Sequence, residues 1–232
     1  MKNRKLLRLA LVFCFLPVIS QAAVTEQQLI AKTTRASQVL TSVLKIEDKS
    51  IPVSLLDRAV CIAVIPDVIK VGFIFGARYG QGLVSCRVGQ NWSEPSFLKI
   101  LGGTWGLQIG ITSIDTILVF VNQNAVDRLS VDNFTLGGEA SVAAGPVGRN
   151  AQAETDYQLK SEIYSYSQSR GVFAGLTVGG AVLAIDHEAN NLMYNNKAVV
   201  KNLLTSDGSK APTPLRNYVS VLETNLEPVP KK

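Results

Sequence analysis

The distribution of glycine constrains the fold of this chain more than any other feature of its sequence. Seventeen of the eighteen glycines lie between Gly72 and Gly180, among short runs rich in Val, Ile, Phe and Thr. Short β-branched and aromatic runs separated by glycine are typical of strands and turns. The central part of the chain is therefore predicted to be a β-rich body.

The boundaries of individual strands follow from these runs. A first strand over Val60–Ile65 is predicted to end at Pro66, and a hairpin is predicted to join Gly72–Tyr79 to Leu83–Val88 through residues 80–82. The other predicted strands are Phe97–Leu101, Thr104–Ile111, Thr116–Asn122, Phe134–Ala143, Ile163–Ser169 and Val172–Ile185.

The first predicted helix runs from Thr25 to Lys45, where apolar residues recur at three- and four-residue steps. Thr25 and Gln28 have the spacing of a capping box. The opposite face is polar, so this helix could lie on a membrane surface, but its weak charge favours packing on its own domain. Shorter helices are predicted over Pro52–Arg58, Gln123–Leu129, Lys197–Leu204 and Leu215–Leu222.

These elements predict a single α+β domain, with a mostly antiparallel, glycine-rich β-sheet body between N-terminal and C-terminal helices. The predicted divisions are a signal peptide over 1–22, an N-terminal helical segment over 23–58, the β-rich body over 59–205, and a C-terminal helix and tail over 206–232.

The signal peptide is predicted from a basic start, the apolar run Leu9–Ile19 and the small residues that follow. Phe13 stands before Cys14 where lipoprotein processing requires a small residue, which disfavours lipidation. The predicted location is therefore periplasmic or secreted. Four basic residues of the leader account for four of the five net positive charges, which leaves +1. A domain with so little net charge gives no argument for nucleic acid, and it can meet an anionic ligand only through a local cluster.

Two cysteines, Cys61 and Cys86, remain after the predicted cleavage. Export exposes them to an oxidising compartment, and a bridge closing this loop would contribute roughly 3 kcal/mol. Each also stands in an apolar, strand-like context that suits a buried free thiol. Both alternatives remain open from the sequence.

Catalytic chemistry finds little support in the sequence. His187 is the only histidine, which excludes a multi-histidine metal site, and its polar context suggests a solvated loop. Asp115 interrupts an apolar stretch, so it must be paired or hydrogen-bonded, and a structural role is favoured. No enzymatic activity, metal or cofactor is predicted. Arg78, Arg149 and Arg170 stand beside glycine-rich turns, where a guanidinium could hold a carboxylate, a carbonyl or an anionic head group.

Four segments carry a family resemblance: WSEPSF at 92–97, GLQIG at 106–110, GPVGR at 145–149 and YSQSRGVFAG at 166–175. In this order they closely resemble the SYLF domain, also called the Ysc84 actin-binding domain, over about residues 59–194. The resemblance implies a non-catalytic lipid-binding module. Eukaryotic relatives are expected to bind phosphoinositides and, in fungi, actin filaments, whereas secreted relatives are expected to be bacterial.

The resemblance and the residues together predict an exported module that binds an anionic phospholipid or a phosphoinositide-like amphiphile. The lipid site is predicted to combine basic side chains with bare glycine faces, because a bare strand face usually means that something packs close to the backbone. Its residues are Arg78, Gly106, Gly110, Arg149, Arg170, Gly175 and Gly179. The predicted partner is a lipid or membrane surface, with no nucleic acid, and actin is expected to be an unlikely partner of an exported protein. The alternative is a structural or interaction protein of the bacterial cell envelope, in which these glycines only allow sheets to pack closely.

Overall fold

The computed structural model describes most of the chain beyond the predicted signal peptide. That peptide lies outside the described residues, as do residues 227–232 of the predicted tail. The described residues are 24–46, 51–72, 75–105, 110–131, 133–147, 160–169, 172–176 and 178–226, with only the backbone given for 104 and 105.

The helices lie mainly at the two ends of the chain, as predicted. In the described part they are α1 (Glu26–Leu44), α2 (Val53–Asp57), α3 (Gln123–Val131), α4 (His187–Met193), α5 (Val200–Leu203) and α6 (Thr213–Asn225). The predicted capping box of α1 is present, because the Thr25 side chain accepts from the Gln28 N–H at 3.3 Å and the Gln28 side chain accepts from the Thr25 N–H at 3.1 Å. The buried stripe of α1 packs on α6 and on the sheet.

The strands form one large sheet. Their bounds are β1 (Cys61–Gly72), β2 (Phe75–Val88), β3 (Asn91–Trp92), β4 (Ser96–Trp105), β5 (Gly110–Phe120), β6 (Phe134–Thr135), β7 (Val142–Ala144), β8 (Ile163–Ser169), β9 (Val172–Gly175) and β10 (Ala181–Ile185). The order is β6-β10-β4-β2-β1-β5-β8-β7, with β3 on β2 and β9 on β8. Neighbouring strands in this order run antiparallel, except that β7 and β8 are parallel. The predicted α+β class, with a mostly antiparallel sheet and helices at both ends, is confirmed.

The sheet curls so that its two faces bury separate cores. Ile62 and Val64 of β1 belong to an outer core with α1, α4 and α6. Their neighbours Cys61, Ala63 and Ile65 belong to an inner core that also contains residues of α3 and α5. Ile163 of β8 and Leu183 of β10 come from opposite sides of the strand order, yet both lie in the inner core. The sheet must therefore curl around that core.

A β-bulge in β1 exchanges the two faces. The prediction that Pro66 ends the first strand is wrong, since β1 continues to Gly72. Pairing with β5 shifts register between Ile65 and Val68, and Asp67 has a positive φ of 54°. A bulge inserts one extra residue and so reverses which side chains point to which face. Odd-numbered residues therefore face inwards before the bulge, and even-numbered residues face inwards after it.

The predicted hairpin at residues 80–82 is also wrong, because β2 runs unbroken from Phe75 to Val88. Gly80 and Gly82 lie in the strand and face inwards, where they leave no room for a side chain. A Cβ added to Gly80 would lie 2.8 Å from Val68 Cγ2, and one on Gly82 would collide with the backbone of Val64. These glycines mark close approach inside a sheet, which the sequence pattern alone does not distinguish from a turn.

Later predictions differ from the structure mainly at element boundaries, and one helix was missed. The predicted strand Val172–Ile185 is two strands, β9 and β10, and the predicted strand Thr104–Ile111 supplies the end of β4 and the start of β5. Helix α4 was not predicted; it begins after Asp186, whose side chain accepts a hydrogen bond from the Ala189 N–H at 3.2 Å.

In the described part of the chain, no helix has the length and apolar character needed to cross a membrane.

Candidate functional site

A polar cluster marks where the covered part of the outer face ends. Arg35 of α1 donates to Asp115 of β5, with Nη2 and Oδ2 2.9 Å apart, and its Nε lies 3.7 Å from Asp67 Oδ1. The Asp67 N–H, exposed by the bulge, donates to Asp115 Oδ1 at 3.0 Å. Asp115 is therefore paired and hydrogen-bonded, as its position in an apolar stretch requires.

Beyond this cluster, the outer face of the sheet carries an exposed apolar patch. The strand register places Ile69, Tyr79 and Leu101 in one row across β1, β2 and β4. A second row contains Ile111, Val71 and Ala77 across β5, β1 and β2. Ile111 has 74% of its surface exposed. We refer to Ile69, Val71, Phe75, Tyr79, Leu101 and Ile111 as the outer patch.

An open cleft runs along the end of this patch. It measures about 580 Å³ and is lined by Val71, Phe75, Ala77 and Ile111, with glycines between them. One of those glycines is Gly110, a predicted site residue, which has a φ of +135° and open space where a Cβ would stand. Soluble proteins rarely expose contiguous apolar surface of this kind unless it meets a partner or a membrane.

The inner face at the same end of the sheet carries two neighbouring cations. Arg78 of β2 faces Lys70 of β1 across the strand pair. Arg78 is only 8% exposed, and its buried Nε and Nη1 have no hydrogen-bond partner among the described residues. Burial lowers the pKa of both groups, and the charge of Arg78 lowers the pKa of Lys70 further. A buried charge without a partner is unfavourable, and like charges on paired strands repel.

The other predicted site residues differ in where they lie. Gly106, Arg149 and Arg170 lie outside the described residues. Gly175 lies against the backbone of Gly145, with which an added Cβ would collide. Gly179 has open space at its missing side chain and stands two residues before Ala181, which pairs with Gly102 in the row of Arg78. Among the described predicted residues, Arg78, Gly110 and Gly179 thus lie towards the end of the sheet that carries the outer patch, which we call the bare end.

The residues weighed for catalysis have structural surroundings. His187 is the first residue of α4 and is exposed. Its neighbour Asp186 is buried, forms an ion pair with Lys99 at 3.0 Å and accepts from Gln81 Nε2 at 2.6 Å. The described residues hold no cluster of three or more metal-binding side chains.

Cys61 and Cys86 form a disulfide between β1 and β2, at the covered end of the sheet. They are register partners with Cα atoms 3.9 Å apart. A cavity of about 470 Å³ adjoins the bridge, between β2, α3 and α5, and its lining includes Cys86, Arg87 and Lys201. The sequence left open whether these cysteines pair, because the neighbourhood of two strands depends on the sheet.

Sequence interpretation missed Lys70 and the outer patch. From Val68 to Tyr79 the chain is almost entirely apolar or glycine except for Lys70 and Arg78. These two cations stand eight residues apart, and only the β1–β2 pairing brings them together. The occurrence of two lone cations in an otherwise apolar segment is the one signal in the sequence, and whether they share a face depends on the register of the hairpin.

Comparison with known proteins gives a consistent family. Residues 101–225 match the family described as "Ysc84: Las17-binding protein actin regulator". The chain is 33% identical over 207 residues to Protein YSC84 of Saccharomyces cerevisiae, covering 85% of this chain and 44% of that protein. It is 34% identical over 182 residues to the SH3 domain-containing YSC84-like protein 1 of Xenopus laevis, covering 78% of this chain and 54% of that protein.

A third relative is the LAS seventeen-binding protein 3 of Saccharomyces cerevisiae, 34% identical over 188 residues, covering 77% of this chain and 41% of that protein. The chain thus spans about half the length of the curated relatives it matches. These relatives are eukaryotic, and their names describe no exported lipid-binding protein.

The expectation that actin is an unlikely partner is wrong for proteins of this kind. It rested on the predicted leader alone, whereas the matching family is described as a Las17-binding actin regulator and one relative is named a LAS seventeen-binding protein. The family match includes β5, β8, β10 and the helices from α3 to α6, and it covers more than half of the 232 residues. The chain therefore belongs to the Ysc84 family, whose domain is also called SYLF.

Proposed function

We propose that this protein is a non-catalytic binding module whose outer patch docks on an anionic phospholipid surface. The single observation that carries the proposal is the outer patch itself, a set of exposed aliphatic and aromatic side chains spread over four paired strands. The outer patch lies at one end of the sheet, where none of the described helices covers it, so it can meet a flat surface.

The charges around the patch favour an anionic membrane. Between Val68 and Ile114, the only carboxylate in the sequence is Glu94, which stands outside the strand segments of the bare end. Asp67 and Asp115, at the border of the patch, are already engaged by Arg35. Lys70 and Arg78 lie on the reverse face of the same strands. Lysine and arginine near a membrane surface contribute about 1 kcal/mol each.

The aromatic residues of the patch suit the same role. Tyr79 combines an apolar ring with a polar hydroxyl, and Phe75 adds a fully apolar ring near the end of the hairpin. Aromatic side chains of this kind are enriched where a protein meets the membrane–water boundary.

The experiment is co-sedimentation of the purified protein with vesicles of phosphatidylglycerol and phosphatidylcholine, and with pure phosphatidylcholine vesicles. Ile111→Asp places a charge at the most exposed aliphatic side chain of the patch and is expected to weaken vesicle binding at least tenfold. The matched control is Val131→Asp, at an exposed valine at the end of α3, which is expected to bind like the wild type. Equal binding by folded Ile111→Asp contradicts the proposal.

A second candidate function comes from the family. The family is described as "Las17-binding protein actin regulator" and one relative is named a LAS seventeen-binding protein, so the same patch could dock on a protein partner of that kind. Co-sedimentation with actin filaments tests this directly. Filament binding that Ile111→Asp abolishes, together with no vesicle binding by the wild type, would favour the protein partner over the lipid.

We also propose that residues 1–22 direct export and are removed. The disulfide between Cys61 and Cys86 supports an oxidising compartment, where such bridges persist. Amino-terminal sequencing of the protein purified from its own host tests this. A start near Ala23 or Val24 is expected, and a protein that retains Leu9–Ile19 would contradict it.

A further inference from the structure

The two cations of the inner face have no counter-charge on the described part of the chain. The salt bridges among described residues are Arg35 with Asp67 and Asp115, Lys99 with Asp186, and Arg128 with Glu162. Neither Lys70 nor Arg78 takes part in them. Arg87, the other arginine of β2, also has a buried Nη1 without a partner among the described residues, but its Nε donates to the Ala59 carbonyl at 3.1 Å. Arg78 leaves both its Nε and its Nη1 without such a partner, and it faces a second cation.

Glycines flank Arg78 on its own face of the sheet. Gly76 and Gly80 stand two residues to either side of Arg78 on β2, and Gly102 stands opposite it on β4. Side chains two apart in a strand share a face, so none of these neighbours supplies a side chain that could pair with the guanidinium. Val68 packs against Gly80, whereas Gly76 lies on the open cleft beside the outer patch, so the end of the sheet is the less crowded side of Arg78.

The register adds a hydroxyl to the row. Lys70 pairs with Arg78 on one side and with the exposed Thr112 of β5 on the other. The row from β5 to β2 therefore presents a hydroxyl, an ammonium and a guanidinium on one face. Side chains directly opposite each other on paired strands have Cβ atoms about 5 Å apart, which lets two of them contact one small ligand.

We propose that Lys70 and Arg78 together bind one phosphate-type anion on the inner face, with Thr112 as a further hydrogen-bonding group. A phosphate group suits the pair better than a carboxylate, because it can carry close to two negative charges and offers oxygens to both cations. The guanidinium supplies a planar pair of N–H donors, and the ammonium supplies a compact charge beside it.

The anion could be the phosphate of a lipid head group or free phosphate. The lipid source rests on the proposed membrane function, whereas the anion chemistry of the row does not. A lipid bound in this way would lie with its head group on the inner face and its chains towards the end of the sheet, next to the outer patch.

The test measures ligand binding by calorimetry and by thermal shift at constant ionic strength. One ligand is inorganic phosphate balanced against chloride, and the other is dihexanoyl phosphatidic acid below its micelle concentration. The variants are Arg78→Met and Lys70→Met. The matched control is Arg58→Met, at an exposed arginine that precedes β1 at the covered end of the sheet.

The wild type and Arg58→Met are expected to bind at least one ligand, and Arg78→Met and Lys70→Met are expected to bind it at least tenfold more weakly. Binding of inorganic phosphate assigns the site to the free anion chemistry, and binding of the short-chain lipid alone assigns it to a head group. Folded variants that bind as the wild type does, or a wild type that binds neither ligand, would overturn the proposal.

Ile111→Asp separates this proposal from the membrane proposal. It is expected to lose vesicle binding and to retain anion binding, because Ile111 faces away from Lys70 and Arg78. Anion binding without any vesicle binding by the wild type leaves the anion site standing and removes the membrane function. If the wild type binds vesicles but no anion, and Arg78→Met and Lys70→Met bind vesicles as the wild type does, the membrane function stands and the anion site is removed.

Discussion

Strand β1 has two halves that share one backbone but differ in what surrounds them. Before the bulge, Ile62 and Val64 lie under α1 and α6, and the disulfide ties the strand to β2. After the bulge, Ile69 and Val71 lie on the same outer face, and none of the described helices covers them. The outward-facing residues of both halves are aliphatic, so the difference in their exposure comes from the helix cover and not from their composition. Apolar surface that a domain leaves uncovered is available for binding.

The two ends of the sheet also differ in how their charged groups are paired. At the covered end, Asp207 accepts hydrogen bonds from the Ser209 N–H at 2.8 Å and from Asn91 Nδ2 at 3.0 Å. At the bare end, Arg78 is buried with no such partners among the described residues. The Asp207 carboxylate at the covered end is stabilised by hydrogen bonds. The Arg78 guanidinium at the bare end lacks such partners among the described residues, and its burial lowers stability.

The sharpest test of the comparison replaces one isoleucine in each half of β1. Ile62 is 0% exposed and Ile69 is 45% exposed, on the same face of the same strand. Ile62→Ala should lower the free energy of unfolding by about 2–5 kcal/mol, because it leaves a cavity in the outer core. Ile69→Ala should change it by less than about 1 kcal/mol. Urea denaturation measures both, and equal losses would show that the outer patch is buried in solution.

The disulfide gives the next largest effect and acts on the covered half. It joins residues 25 apart in sequence, so reduction should lower the free energy of unfolding by roughly 3 kcal/mol. Urea denaturation with and without dithiothreitol measures this. The double variant Cys61→Ala and Cys86→Ala is the control and should not respond to dithiothreitol. Vesicle binding by the reduced but folded protein should be unchanged, since the bridge is remote from the patch.

Removal of the buried charge at the bare end should stabilise the protein. Arg78→Met keeps much of the side-chain volume and removes a guanidinium whose buried Nε and Nη1 have no partner among the described residues, which should raise the free energy of unfolding by about 1–3 kcal/mol in phosphate-free buffer. Arg58→Met should remain within about 0.5 kcal/mol of the wild type. A destabilised Arg78→Met would indicate that the guanidinium is satisfied within the fold.

A smaller effect should appear at alkaline pH. The pKa of Lys70 is lowered in the folded state by burial and by Arg78, so the unfolded chain binds the proton more tightly. Stability should therefore rise as the pH approaches the ordinary lysine pKa of 10.5. The difference in unfolding free energy between Lys70→Met and the wild type should shrink over that range. A constant difference would mean that Lys70 titrates normally in the folded protein.

The smallest expected effect lies at acid pH and belongs to the covered half. Hydrogen bonds from Ser209, and then from Asn91, lower the pKa of Asp207 from 3.8 to about 2. The contribution of this carboxylate is fully present above pH 4 and is lost as the pH falls towards 2. Acid denaturation of the wild type and Asp207→Asn should therefore converge in that window. Parallel curves would show that the hydrogen bonds do not favour the charged form.

The lowered pKa values of the two halves have opposite meanings. For Asp207, a lowered pKa means that partners stabilise the charged form. For Lys70, it means that the surroundings destabilise the charged form. Hydrogen bonds favour the charged form of Asp207, whereas a bound anion would favour the charged form of Lys70.

Local patterns were sufficient for much of the fold. The spacing of Thr25 and Gln28 predicts the start of α1, and the texture of β-branched residues and glycine predicts a β-rich body. The candidate site was only partly accessible from the sequence. Arg78 is singled out by the glycines near it, but the turn assumed there does not exist, and Lys70 carries no signal of its own. Their meeting depends on the register of two strands.

The sequence by itself determined the element types, the requirement that Asp115 be paired, and the family resemblance. The tertiary structure decided which partner Asp115 finds, since Arg35 is 80 residues away. It also decided which face each residue of the β1–β2 hairpin occupies. The bulge at Asp67 reverses which side chains of β1 point inwards, and the bulge depends on how β1 pairs with β5. The physical reason is that side-chain alternation is a local property of a strand, whereas register, bulges and helix cover arise from contacts between segments far apart in the chain.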